Sequence, residues 1–376
     1  MGQNRFKWVR LGATMNSQVQ KAGDNSSQYQ ASTIIQVNGI SEERVRDIVS
    51  FECDKAIGSC LAESKLIVER RLSDFKTELY GSVGERMQLF DSLREPSCVD
   101  TLGRAANAAI RTDSERDKKL LAELLVKRFE TPSDRYVATG VNKAIDIVDY
   151  LTDEELAGLT VFFAASTYLP TSASVDEGIK VLADLFDMMP CDRLPSGEDW
   201  MDSLDIHDAL RVSSLSSLKH YVDYLFEALK GYTVCGFETG SDEEKKARGM
   251  LEEAGIPAGL LVEHELNPGY KRLFVRRVDD LGNISIVPLG DLSSEARPLT
   301  DDQRDALRSV FELGSDGSRD DVIKENLEKK VLQYHSLATL KDWWDSIPSA
   351  LRISSVGKCL ANANARRINP DLPDIE

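Results

Sequence analysis

A mostly α fold is predicted, with a short N-terminal β segment, a long amphipathic helix and a multi-helix body carrying one inserted β-hairpin. Three observations predict it. Apolar residues recur every three or four positions from Val45 to Leu79, the spacing of one helix face. Capping signals open helical patterns repeatedly through the body, and only residues 270–289 alternate around a Gly-Asn turn.

Residues 1–40 form a polar, β-prone head. The stretch 15–38 is rich in Gln, Asn and Ser, with a turn signal at Gly23-Asp24-Asn25, and reads as short strands. Both faces of such strands are mostly polar, and a solitary two-stranded unit is marginal in water, so the head is expected to pair its edges across chains. Asn25, Gln28, Tyr29, Gln30, Ile34 and Ile35 are its candidate interaction residues.

Residues 41–84 read as a long helix. Ser41 caps it, Glu42 and Glu43 suit its positive end, and no proline follows until Pro96. Its stripe, running from Val45, Ile48 and Val49 to Leu79, would extend over roughly 60 Å at 1.5 Å per residue. Exposed, it would offer each chain a second surface to bury, with Val45, Ile48 and Val49 as contacts. Folded back, it belongs to the core. Cys53 and Cys60, seven residues apart, fall on one face and are expected to be buried thiols.

Residues 85–235 read as a helical domain punctuated by Pro96, Pro132, Pro170, Pro190 and Pro195. Thr152-Asp153-Glu154-Glu155 is a capping box, echoed at Ser241 and Thr300. Leu151–Phe163 and Leu299–Phe311 align without gaps, a similarity that shared capping chemistry largely explains. The acidic segment Glu198–Asp205 suits docking to a basic protein through Trp200 if exposed; more often such a Trp folds onto the body.

Residues 236–376 read as an α+β domain holding the 270–289 hairpin and the C-terminal helices. Lys271, Arg272, Arg276 and Arg277 make the densest basic cluster outside the head and are candidate phosphate contacts. The bland alternative pairs them with nearby acids while Phe274 packs inward. Of Trp343 and Trp344, one is expected in the core and its neighbour partly exposed.

Composition excludes several classes. No run approaches the eighteen or so apolar residues that cross a bilayer, so no membrane is expected as partner. Six cysteines without CxxC pairs point to reduced thiols and a cytoplasmic setting. The net charge of −17 divides into +3 over residues 1–40 and −20 beyond, which disfavours nucleic acid as partner. None of the four histidines stands at a metal-ligating spacing, and Glu263-His264-Glu265, read as a helix end, would point its side chains apart. Gly357-Lys358 lacks the glycine and hydroxyl residue of a phosphate loop, with Arg352 and Cys359 in their places. No cofactor or metal is expected, and no catalytic residue is visible.

Two segments, Gln20–Ala31 with GDNS-x-Q-x-QA and Ser355–Ala365 with x-V-G-x-x-L-A-x-A-N, resemble an uncharacterised family of bacterial proteins. Similar polar heads occur on bacterial proteins suspected of roles in phage conflict, and the resemblance implies that setting. It brings no activity and no catalytic residues. Two functional readings follow. One is a self-associating interaction or scaffold protein, a homo-oligomer with room for an unidentified protein partner. The other is an effector enzyme acting on nucleic acid or nucleotides through a site built from dispersed residues.

Overall fold

The computed structural model describes residues 8–10, 41–58, 64–213, 215–277, 285–286 and 297–373. Its helices, in chain order, are α1 (Glu42–Gly58), α2 (Lys65–Val83), α3 (Pro96–Arg111), α4 (Glu115–Glu130), α5 (Arg135–Ile147), α6 (Asp153–Thr167), α7 (Val175–Met188), α8 (Asp199–Ile206), α9 (Tyr221–Ala228), α10 (Lys230–Thr233), α11 (Asp242–Glu253), α12 (Asp301–Leu313), α13 (Asp320–Val331), α14 (His335–Asp345) and α15 (Ser355–Ile368). The fold is mostly helical, and its strands are short. Trp8–Arg10 (β1) pairs with Tyr168–Pro170 (β2), and Leu210–Ser213 (β3) belongs to a second small sheet. Phe237–Glu238 (β4), Leu261–Glu263 (β5) and Tyr270–Leu273 (β6) form a three-stranded antiparallel sheet in the order β4-β6-β5.

Local chemistry places the helix starts. Pro96 sits at the first position of α3, where its missing N–H costs nothing. Ser114 and Ser174 accept from the third amide of α4 and α7, and Ser354 accepts from Gly357 in α15. At α6 the full box is present: Glu155 N donates to Thr152 Oγ1 at 3.2 Å and Thr152 N to Glu155 Oε2 at 2.8 Å. Thr300 and Gln303 repeat it at α12. At α11 only half does, because the Glu244 carboxylate accepts from Gly240 N instead of Ser241 N.

The chain groups into two compact units. The first comprises residues 1–9, 168–199 and 212–351, and the second 10–167, 200–211 and 352–376. In the first, α11 and α12 pack together with the three-stranded sheet over Phe237, Leu251, Leu273, Leu307 and Val310, while α7 packs against α14 and α13. Gly231 is required here: a Cβ would stand 2.3 Å from the Val275 carbonyl oxygen.

In the second unit α15 lies against α4, α5 and α6. Its tail motif supplies small residues for that position. Ala361, Ala363 and Ala365 are buried, and a Cβ at Gly357 would stand 2.1 Å from the Ala209 carbonyl oxygen. The segment behind the family resemblance is thus a packing device.

Two expectations are corrected. The stripe from Val45 to Leu79 is carried by two helices rather than one long one, and they run antiparallel, with Lys76 Nζ 3.5 Å from Ser50 Oγ. α1 packs on α3 and α2 on α3 and α4, so Val45, Val49, Cys53, Leu72, Phe75 and Leu79 are core residues of this unit. Burial pushes the Cys53 thiol pKa up, while Cys60 lies outside the described residues. The second correction concerns the hairpin over 270–289. β6 has β4 on one edge and β5 on the other, and Ser285–Ile286 (β7), the described part of 284–289, pairs with Arg297–Pro298 (β8) instead. The hairpin that includes β6 is β5–β6. The last strand, Ala350–Ile353 (β9), neighbours β3.

Candidate functional site

The basic cluster in and just after β6 is mostly spent inside the first unit. Arg272 is fully buried; its guanidinium meets Glu265 Oε2 at 2.9 Å and donates to the carbonyls of Ala173, Gly231, Leu273 and Val275. Arg276 is buried and donates to the Pro170 carbonyl at 2.5 Å. Lys271 bridges Glu244 at 3.2 Å and Glu263 at 3.7 Å, and Arg277 is half-buried. Arg272, on a strand with neighbours on both sides, and Arg276, just beyond that strand, are both buried and spent on internal partners, so neither is placed to reach a phosphate. Phe274, expected inward, is 41% exposed.

Glu263-His264-Glu265 ends strand β5 rather than a helix. His264 is buried, its Nε2 donating to the Val234 carbonyl at 2.7 Å and its Nδ1 accepting from Leu266 N at 3.1 Å, a tautomer assigned from these partners. Burial pushes its pKa down to about 4, and Arg272 adds to that effect. Both ring nitrogens are occupied, which rules out ligation in this conformation. Among the described residues no three His, Cys, Asp or Glu side chains are grouped to hold a metal ion.

The other expected contacts divide. Asn25, Gln28, Tyr29, Gln30, Ile34 and Ile35 lie outside the described residues. Val45 and Val49 are buried and Ile48 is half-buried, because the stripe faces α3. Trp200 is buried as well, on helix α8 rather than a loop. Trp343 and Trp344 are both buried, each indole N–H finding a carbonyl, of Pro195 at 2.9 Å and Lys219 at 2.8 Å. Paired donors let both rings enter the core.

Two surfaces of the second unit remain as candidate sites. On the α1–α2 pair, Phe51 of α1 is 65%, and Leu66 and Ile67 of α2 are 78% and 48% exposed. Separately, α2, α4 and α15 wall an open groove of about 420 Å³, lined by Glu78, Arg86, Lys119, Glu123, Arg366 and Arg367. Arg86 is fixed by Glu130 at 2.6 Å and by the Ser82 carbonyl at 3.2 Å. Arg367 Nε donates to Asn364 Oδ1 at 3.0 Å, Asn364 Nδ2 donates to Thr160 Oγ1 at 2.9 Å, and Thr160 donates to the Leu156 carbonyl at 2.6 Å. Burial lowers the pKa of Arg367, and the like charge of Arg116 adds to it against Glu123 and Asp153. The only sequence trace of this groove is the Arg366-Arg367 pair that follows the tail motif; its other cations, Arg86 after α2 and Lys119 in α4, come from far away in the chain.

A protein-family model described as ":-like" matches residues 39–375. The chain belongs to that family. The family is an uncharacterised one, and the matched span takes in α1 through α15, including the tail segment, while the GDNS segment of the head falls outside it. No curated protein matches the chain. No solved structure matches it.

Proposed function

We propose that the protein is a self-associating interaction protein of the bacterial cytosol, with a second copy of the chain docking on the outward face of the α1–α2 pair. The exposed Phe51, Leu66 and Ile67 carry this reading. These helices bury one stripe in their own unit and still leave large apolar side chains exposed. Charge favours the same chain as occupant. α1 and α2 together hold seven basic and eight acidic side chains, nearly neutral within a chain of net charge −17, so two such faces meet with both signs available and little net repulsion.

Covering the three side chains would contribute roughly 4–6 kcal/mol. That lies near the lower bound of association costs, so this contact alone gives a weak, concentration-dependent dimer. The polar stretch from Asn25 to Ile35 belongs to the proposal on sequence grounds, as strands whose edges pair between chains. The setting in phage defence rests on the resemblance of the head and tail segments. Among the described residues no helix is long and apolar enough to cross a membrane. Sedimentation velocity over a range of concentrations tests the reading: a sedimentation coefficient rising with concentration supports it, and a concentration-independent monomer overturns it.

A further inference from the structure

We propose that the groove walled by α2, α4 and α15 binds a phosphate-bearing small molecule of about nucleotide size. Four cationic side chains, Arg86, Lys119, Arg366 and Arg367, stand beside Glu78 and Glu123 in the groove, with Arg86 paired to Glu130, so the local balance stays positive in a chain whose overall charge is −17. The local field is the reverse of the global one. The groove's volume falls in the range of small-molecule sites.

The second observation is that one cation is held in place from below. Asn364 and Thr160 are both buried, and together they link the Leu156 carbonyl to Arg367 Nε through three hydrogen bonds. With Nε engaged, the guanidinium keeps its two terminal amino groups for a ligand, the fork that matches phosphate oxygens. Lys119, on the facing helix, makes no ion pair among the described residues. Fixing donors before the ligand arrives reduces the ordering cost of binding.

The bland account is that Arg366 and Arg367 stand in the last turn of α15, where cations offset the helix dipole. It explains their sign. It explains neither the clamp on Arg367 Nε nor Lys119, which sits within α4. Phosphate is favoured over carboxylate because its higher charge better repays the partial burial of Arg367. Glu78 and Glu123 are placed to accept from the hydroxyl or amino groups of the rest of the ligand.

The test is calorimetric titration of the full chain with ATP, with inorganic pyrophosphate and with citrate, for the wild type, Lys119→Glu and Arg367→Gln, with folding checked by circular dichroism. ATP and pyrophosphate are expected to bind, with affinity falling at least about tenfold in each variant and in raised salt. Absence of phosphate binding by the folded wild type overturns the proposal, as does unchanged affinity in Lys119→Glu. Equal binding of citrate overturns the phosphate assignment. Lys119 is half-exposed, so its variant stays informative if Arg367→Gln does not fold.

Discussion

Asn364 Oδ1 accepts the Nε–H of Arg367 at 3.0 Å while its Nδ2 donates to Thr160 Oγ1 at 2.9 Å, so one buried amide ties the last turn of α15 to α6. Both ends of the amide are used, and the residue is 3% exposed. Asn364→Ala leaves Thr160 without that donor and frees Arg367, and should cost about 1–3 kcal/mol in urea unfolding. An unchanged midpoint would show that the link is incidental.

The α1–α2 pair belongs to the core of its unit, and removing it should destroy that unit. Phe75 and Leu79 are fully buried under α3 and α4. Phe75→Ala should cost about 3–5 kcal/mol. A chain beginning at Glu85 should lose the urea transition of the second unit, including the ordered signal of Trp200, while the first unit with Trp343 and Trp344 keeps its own. A second unit that still unfolds cooperatively in that shortened chain would contradict the packing described for α1 and α2.

Arg272 anchors the strand sheet of the first unit through Glu265 and four carbonyl oxygens. Arg272→Met should destabilise by about 3–5 kcal/mol, since it strands a partly buried carboxylate and those carbonyls together. Arg272→Lys should rescue little of this, because a single ammonium cannot reproduce the planar fork. Thermal melts of the two variants should therefore nearly coincide.

Stability should fall on mild acidification. The folded pKa of His264 is pushed down to about 4 by burial, whereas the unfolded chain takes up the proton near the ordinary 6.5. Between those values the unfolded state binds more protons, so stability is lost as pH falls through that window, by up to about 3 kcal/mol. Glu244, held at about 2 by the Gly240 amide, Arg248 and Lys271, extends the loss below pH 4.5. Urea midpoints measured from pH 7 to 4 check this, and His264→Gln should flatten the upper part of the curve.

The parts legible in the sequence are those fixed by neighbours in the chain. Thr152, Thr300 and Ser354 cap their helices because a cap is decided within four residues. The apolar face from Val45 to Leu79 was equally legible, but helical spacing shows which side is apolar and not whose surface covers it. Residues 270–289 show the same limit. Alternation around a turn implies pairing across it, yet β6 already had both edges filled by strands only two and three residues long. The groove joins Lys119 of α4, Arg367 of α15 and Arg86 from the segment after α2, and no local pattern announces such a meeting.

The central claim, that a second copy docks on the outward face of α1 and α2, is tested most directly by light scattering. The mass of the full chain should be compared with that of the Phe51→Glu, Leu66→Glu double variant, both positions being exposed enough to leave the fold intact. The account predicts a mass that climbs towards the dimer with concentration for the wild type and stays monomeric for the variant. Equal masses for the two chains at every concentration would contradict it.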